Sequence, residues 1–146
     1  MAAMNGLHTL LQTHLKELHL PTIRARYESM ATQAQQESLS YEQYLAELMA
    51  GEWETRQQNR IERSLRESKL PLEKTLAGLD RSRFPRKLNQ QINVLLQGVF
   101  LDQKENVLAF GNPGSGKTHV LAAVAQELIR QGRKISFCSC NLLAAK

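Results

Sequence analysis

Eight consecutive residues limit what this chain can fold into: Gly111, Asn112, Pro113, Gly114, Ser115, Gly116, Lys117 and Thr118 match the pattern G-x-x-x-x-G-K-[ST]. The motif is characteristic of a turn between a strand and a helix, and the flanking sequence predicts both. Asn106, Val107, Leu108, Ala109 and Phe110 form a short apolar run consistent with a buried strand. From Lys117 to about Gln131, Val120, Leu121, Val124, Leu128 and Ile129 supply a helical face, and Gly132 ends it. Glycines in such a loop let consecutive backbone N–H groups converge on phosphate oxygens, and the helix start adds its positive end. Lys117 is then expected to reach the β- and γ-phosphates. Thr118 is expected to give its hydroxyl to a magnesium ion bridging them. The motif fits ATP and GTP alike, and hydrolysis needs a further carboxylate.

Charge is segregated along the 146 residues. Residues 1 to 55 hold three basic and seven acidic side chains, a local balance of −4. Residues 56 to 87 hold ten basic side chains, among them Arg56, Arg60, Arg63 and Arg66, against four acidic ones, a local +6. The remaining 59 residues add +3. A basic block attracts nucleic-acid phosphates, and it also describes a solvated helix supported by Glu52–Arg56 and Glu62–Arg66 pairs. Both readings stay open. The two cysteines, Cys138 and Cys140, cannot build a disulfide framework, which predicts a cytoplasmic protein. No run of apolar residues is long enough for a membrane span, and no signal-peptide pattern is expected.

Three helices are predicted ahead of the basic block. Leu7, Leu10, Leu11, Leu15 and Leu18 recur at helical spacing up to Pro21. Ile23, Tyr27, Met30 and Ala34 give a second helix that frays over Thr32 to Ser40. Ser40 with Gln43 makes a capping box for a third, which should run to about Lys69, before Leu70 and Pro71. Tyr41, Leu45, Leu48, Met49 and Trp53 share one face of it and are expected in the helical core, with Trp53 as an anchor. Arg56, Arg60, Arg63 and Arg66 continue that face while Ile61 and Leu65 lie opposite, so the helix should leave its core near residue 54 or bend near Gly51. Residues 71 to 87 read as a linker, and a short helix from Arg86 to Gln97 follows. Lys134 to Cys138 reads as a second strand, with both cysteines as small buried hydrophobes. His119 is expected to be a packing or surface residue, and His8, His14 and His19 have no metal-ligand partners in the pattern.

The order of these features resembles the IstB-like ATP-binding helper proteins of IS21-type transposition, relatives of the DnaC helicase loaders and of the DnaA branch of AAA+ ATPases. The resemblance covers nearly the whole chain. It rests on Leu18 to Pro21, Ser40-Tyr41-Glu42-Gln43-Tyr44-Leu45, the run through Arg56, Arg60, Arg63 and Arg66, Glu73-Lys74-Thr75-Leu76, Glu105-Asn106-Val107-Leu108, and Gly116-Lys117-Thr118-His119. It implies an α/β fold in which a helical N-terminal adaptor precedes an incomplete P-loop NTPase (AAA+) αβα domain. The expected organisation is an adaptor over residues 1–70, a linker and short helix over 71–97, and the Walker A part of an ATPase domain over 98–146.

The resemblance further implies ATP and Mg2+ as cofactors, a transposase and double-stranded DNA as partners, and homo-oligomers in the intact family. Family members continue past the position of Lys146 with Walker B acidic residues, a sensor residue and an arginine finger, which have no counterpart here. A chain truncated before Walker B is expected to bind ATP without hydrolysing it alone. The leading expectation is thus a helper that assembles on DNA and recruits the transposase. The alternatives are a DnaC-like helicase loader, and a non-enzymatic adaptor fragment that competes with an intact helper.

Overall fold

The structure is a computed structural model that describes residues 2–145. Helices account for its regular structure, in the order α1 (Ala2–Glu17), α2 (Pro21–Gln36), α3 (Tyr41–Ser68), α4 (Arg86–Leu96), α5 (Val99–Asp102), α6 (Lys117–Arg130) and α7 (Cys140–Ala144), with a single 3-10 turn at Arg81–Arg83. The chain divides into two compact units, Met1–Arg60 and Ile61–Lys146, so that α3 contributes residues 41–60 to one and 61–68 to the other.

In the first unit α1 ends on a left-handed residue, His19, with Leu20 N–H bonded back to the Leu15 carbonyl at 2.9 Å. Helix α2 ends the same way, through Ser38 and a bond from Leu39 N–H to the Ala34 carbonyl at 2.9 Å. These six-to-one bonds satisfy helix-end carbonyls, here without a glycine. The predicted capping box opens α3: Gln43 N–H donates to Ser40 Oγ at 3.1 Å, and Ser40 N–H donates to Gln43 Oε1 at 2.8 Å. Ile23, Leu48 and Glu52 are buried, and the Tyr44 hydroxyl donates to the Tyr27 carbonyl at 2.8 Å.

Helix α3 departs from its expected packing. Leu48 is inside, but Tyr41, Leu45, Met49 and Trp53 are exposed at 95%, 58%, 49% and 63%. Tyr44, Leu48, Gly51 and Glu52 face inward instead, a sector turned away from the aromatic stripe. A buried carboxylate on an otherwise apolar helix face hides the true contact line from hydrophobic patterning, because Glu52 reads as a solvent position. Trp53 is therefore no anchor of this unit.

In the second unit, Leu79, Ile92, Val124 and Leu128 form one buried cluster, with Leu76, Phe84, Leu88 and Phe100 packed against it. A second cluster joins Leu70, Ala122 and Ile129, with Leu65 packed against it. Leu65 thus serves a different core from Leu48, which explains why the apolar face of α3 changes side along its length. Arg81 locks the 3-10 turn onto α4: its guanidinium donates to Asn89 Oδ1 at 2.9 Å, to the Asn89 carbonyl at 2.8 Å and to Asn93 Oδ1 at 2.7 Å.

The expected α/β architecture is not what the chain forms. Among the described residues there is no strand, so the chain is helical and not an adaptor joined to an αβα P-loop NTPase domain of the AAA+ kind. Residues 106–110 and 134–138 carry no regular secondary structure, and neither forms a ladder. A strand exists only when a neighbour takes up its N–H and C=O groups. Residues 106–110 have no such neighbour, with Leu108 and Phe110 open to solvent, while the one backbone bond of residues 134–138 runs from Phe137 N–H to the Ser68 carbonyl of a helix, at 2.7 Å. Cys138 and Cys140 are likewise exposed, and are not the buried hydrophobes that a paired strand would have made them.

Candidate functional site

The loop of residues 111–116 leads into α6 with Gly116 as the residue before its first turn, at φ 89° and ψ 11°. Gly114 is also left-handed, at φ 77°. A side chain at either position would strain the backbone by about 1–2 kcal/mol. A turn inside the loop is closed by Ser115 N–H donating to the Asn112 carbonyl at 3.1 Å.

Lys117 folds back over this loop. Its Nζ donates to the Gly111 carbonyl at 2.7 Å, to the Asn112 carbonyl at 2.8 Å and to Ser115 Oγ at 3.3 Å. The ammonium is therefore held at the loop by acceptors that a phosphate oxygen can replace. The backbone N–H groups of Gly114, Gly116, Lys117, Thr118 and His119 have no acceptor among the described residues. Those of Lys117, Thr118 and His119 belong to the first turn of a 14-residue helix, where N–H groups are left over by geometry and the helix end is positive. The Thr118 side chain is exposed, and its hydroxyl has no partner among the described residues. A cluster of free donors around a tethered lysine suits a polyphosphate, and a free threonine hydroxyl beside it suits a hydrated divalent cation.

The segment before α4 packs beside this loop through two residues. His119 Nε2 lies 2.9 Å from the Thr75 carbonyl, and the Gly78 N–H donates to Thr75 Oγ1 at 3.0 Å. His119 thus has the packing role expected of it. Gln126, one of the buried residues of α6, donates through Nε2 to the carbonyls of Pro71 at 3.2 Å and Lys74 at 3.1 Å. Hydrophobic patterning alone does not single out Gln126. Its signal was a lone amide between Val124 and Leu128 on a helix face otherwise made of alanine and aliphatic residues. These contacts bring Gly78, Leu79, Asp80, Arg83 and Phe84 around Gly114, Gly116 and His119, and they line a recess of about 390 Å³.

The arginines read as either nucleic-acid contacts or a solvated helix face differ in their engagement. Arg56 pairs with Glu52 at 3.3 Å and also donates to the His19 carbonyl. Arg60 has no ion-pair partner among the described residues. In the second unit Arg63 pairs with Glu67 at 2.8 Å, while Arg66 has no such partner among the described residues. No group of three or more metal-ligating side chains is present among the described residues.

This fold and site define a helical protein that carries a phosphate-loop sequence at the start of a buried helix. The chain belongs to the family of IstB-like ATP binding proteins, whose family model matches residues 13–146. It is 34% identical over 131 residues to a protein of insertion sequence IS5376 from Geobacillus stearothermophilus, covering 90% of this chain and 52% of the relative. It is 30% identical over 135 residues to a protein of IS21 from Pseudomonas aeruginosa, covering 92% and 51%. An insertion-sequence protein of Sinorhizobium fredii is 34% identical over 133 residues, covering 90% and 45%. The names of all three describe them as ATP-binding. The chain spans about half the length of the curated relatives it matches. No helix among the described residues is long and apolar enough to cross a membrane.

Proposed function

We propose that this chain is the ATP-binding part of a helper protein for DNA transposition, with Mg-ATP bound at Gly111, Asn112, Pro113, Gly114, Ser115, Gly116, Lys117 and Thr118. The observation that carries the reading is the set of unpaired backbone N–H groups around Lys117 at the start of α6. Family membership and the insertion-sequence relatives support the choice of ATP and of transposition.

Lys117 exchanges its carbonyl acceptors for phosphate oxygens, and the N–H groups of Gly114, Gly116, Lys117, Thr118 and His119 complete the cradle. The Thr118 hydroxyl would help hold Mg2+, which would supply neutralisation of the phosphate charge. The recess beside Leu79, Asp80 and Phe84 has the size and the mixed lining to take the rest of the nucleotide. Residues 1–70 act as the adaptor, residues 71–97 as the connecting segment, and residues 98–146 hold the nucleotide.

The whole helper works in the cytoplasm as a homo-oligomer on double-stranded DNA, and it recruits the transposase. Arg60 and Arg66, which have no intramolecular carboxylate partner among the described residues, are the cations best placed to meet DNA phosphates. Arg56 and Arg63 would first have to exchange a carboxylate. The test is retention of a DNA duplex by the purified chain, with and without Mg-ATP and with a transposase from an IS21-type element. Retention that rises with Mg-ATP and captures the transposase is expected. Capture of a replicative helicase in place of the transposase would favour a helicase loader, and DNA retention indifferent to nucleotide would contradict the reading.

A further inference from the structure

The stretch Glu73-Lys74-Thr75-Leu76 has no part in binding the phosphates as described above, although its backbone is fixed to the helix that follows the phosphate loop. Two side chains of α6, two turns apart on one face, engage its consecutive carbonyls. Gln126 Nε2 donates to that of Lys74 at 3.1 Å, and His119 Nε2 lies 2.9 Å from that of Thr75. The Lys74 N–H closes a turn on the Pro71 carbonyl at 3.1 Å. The main chain at Lys74 is thus held on both sides of the residue, while its side chain has no partner among the described residues.

That free side chain is a cation placed beside a site for anions. Lys74 is partly buried and lines a recess of about 300 Å³ together with Gly114, Gly116, Lys117, Thr118 and His119. These five are the residues whose backbone N–H groups lack an acceptor. A lysine set beside a helix N-terminus and a second lysine, with no paired carboxylate, is a concentration of positive charge that an anion relieves. A triphosphate brings more negative charge than one lysine and a helix end offset.

We propose that Lys74 is a second phosphate-binding cation, contributed to the nucleotide site from outside the phosphate-loop motif. This rests on the reading of Gly111 to Thr118 as that site and adds a residue to it. What Lys74 recognises is the charge of the phosphate chain and not the base, because its ammonium is a point charge with three donors and no acceptor. His119 and Gln126 hold the main chain that carries it, so the segment between α3 and α4 becomes part of the site and is engaged when nucleotide binds.

Calorimetric titration of the full chain with Mg-ATP across a salt series tests it, on the wild type, Lys74→Met and Lys74→Arg. Lys74→Met keeps the length and the apolar stem of the side chain, and the bonds from α6 go to the main chain, so the fold should stand. The expected result is that Lys74→Met weakens binding by about fivefold and makes its salt dependence shallower, while Lys74→Arg stays within about twofold of the wild type. Wild-type binding matched by Lys74→Met would overturn the role of Lys74 and leave the phosphate loop untouched. No binding by the wild type would overturn the nucleotide reading and this proposal with it. A loss with unchanged salt dependence would place Lys74 on the base or ribose, and a loss that Lys74→Arg shares in full would make it one of local shape; either overturns the proposal.

Discussion

Glu52 caps a helix to which it does not belong: its Oε2 accepts the Ile23 backbone N–H at 3.0 Å from 29 residues along the chain. The same oxygen accepts the Thr22 N–H at 2.8 Å. Helix α2 starts with Pro21, which has no N–H, after Leu20, whose side chain cannot accept a hydrogen bond. The buried carboxylate supplies the missing cap, faces the positive end of the helix, and is closed from the other side by Arg56 at 3.3 Å. One acidic side chain thereby ties α3 to the turn between α1 and α2.

Glu52→Ala should therefore cost about 1–3 kcal/mol, since it leaves two backbone donors without an acceptor in a buried place. Glu52→Gln keeps one acceptor oxygen and should cost less. Urea unfolding followed by circular dichroism measures both. Equal stability of Glu52→Ala and the wild type would show that the cap adds nothing.

Gln126 makes a second prediction, this one beside the phosphate loop. Gln126→Leu removes the donor that holds the Pro71 and Lys74 carbonyls, while filling the same space. Stability should fall by about 1–3 kcal/mol, and trypsin should cut after Lys74 faster than in the wild type. Unchanged cleavage at Lys74 would mean that the segment is held by other contacts.

The core of the second unit predicts a larger loss. Ile92 on α4 is wholly buried against Val124 and Leu128 of α6. Ile92→Ala should cost about 2–5 kcal/mol from lost transfer energy and the cavity left behind. A loss under about 1 kcal/mol in the same urea experiment would show that the site collapses freely.

The pair Asp102–Arg133 sets a pH dependence. Both guanidinium nitrogens donate to the carboxylate at 2.7 Å, and these hydrogen bonds hold the Asp102 carboxyl below its ordinary value. A carboxyl whose folded pKa is lowered contributes stability that is complete above its unfolded pKa and is lost as pH falls through the folded one. Asp102→Asn should remove that part of the acid-side loss and leave the rest of the profile in place. Because the pair is exposed to solvent the effect should be small, and it should shrink further in salt. An acid limb identical in the wild type and Asp102→Asn would exclude the pair as a contributor.

Local signals were the most legible part of the sequence. Ser40 and Gln43 announce the start of α3 because both halves of a capping box lie within one turn, and Leu70 with Pro71 announces its end. The phosphate-loop motif was legible for the same reason. Glu52 was not, since its partners Thr22 and Ile23 are remote in sequence and nothing near it shows that a carboxylate will be buried. Trp53 was misplaced with it, because choosing which face of α3 points inward depended on that one residue. The run 106–110 reads as a strand by composition, yet a strand is a property of a pair, and Leu108 and Phe110 have no extended neighbour among the described residues. Gln126 reads as a break in an apolar face until the carbonyls of Pro71 and Lys74 are set against it.

The central claim is that the loop from Gly111 to Thr118 binds nucleotide through Lys117 and the free N–H groups around it. Titration of the purified chain with Mg-ATP by calorimetry, beside Lys117→Ala, tests it most directly. Among the described residues Lys117 Nζ bonds only within its own loop, so the variant should keep its fold and its melting curve. The account predicts saturable binding by the wild type that falls at least about tenfold in Lys117→Ala, a difference of about 1.4 kcal/mol. No saturable binding by the wild type, or equal binding by both chains, would contradict it.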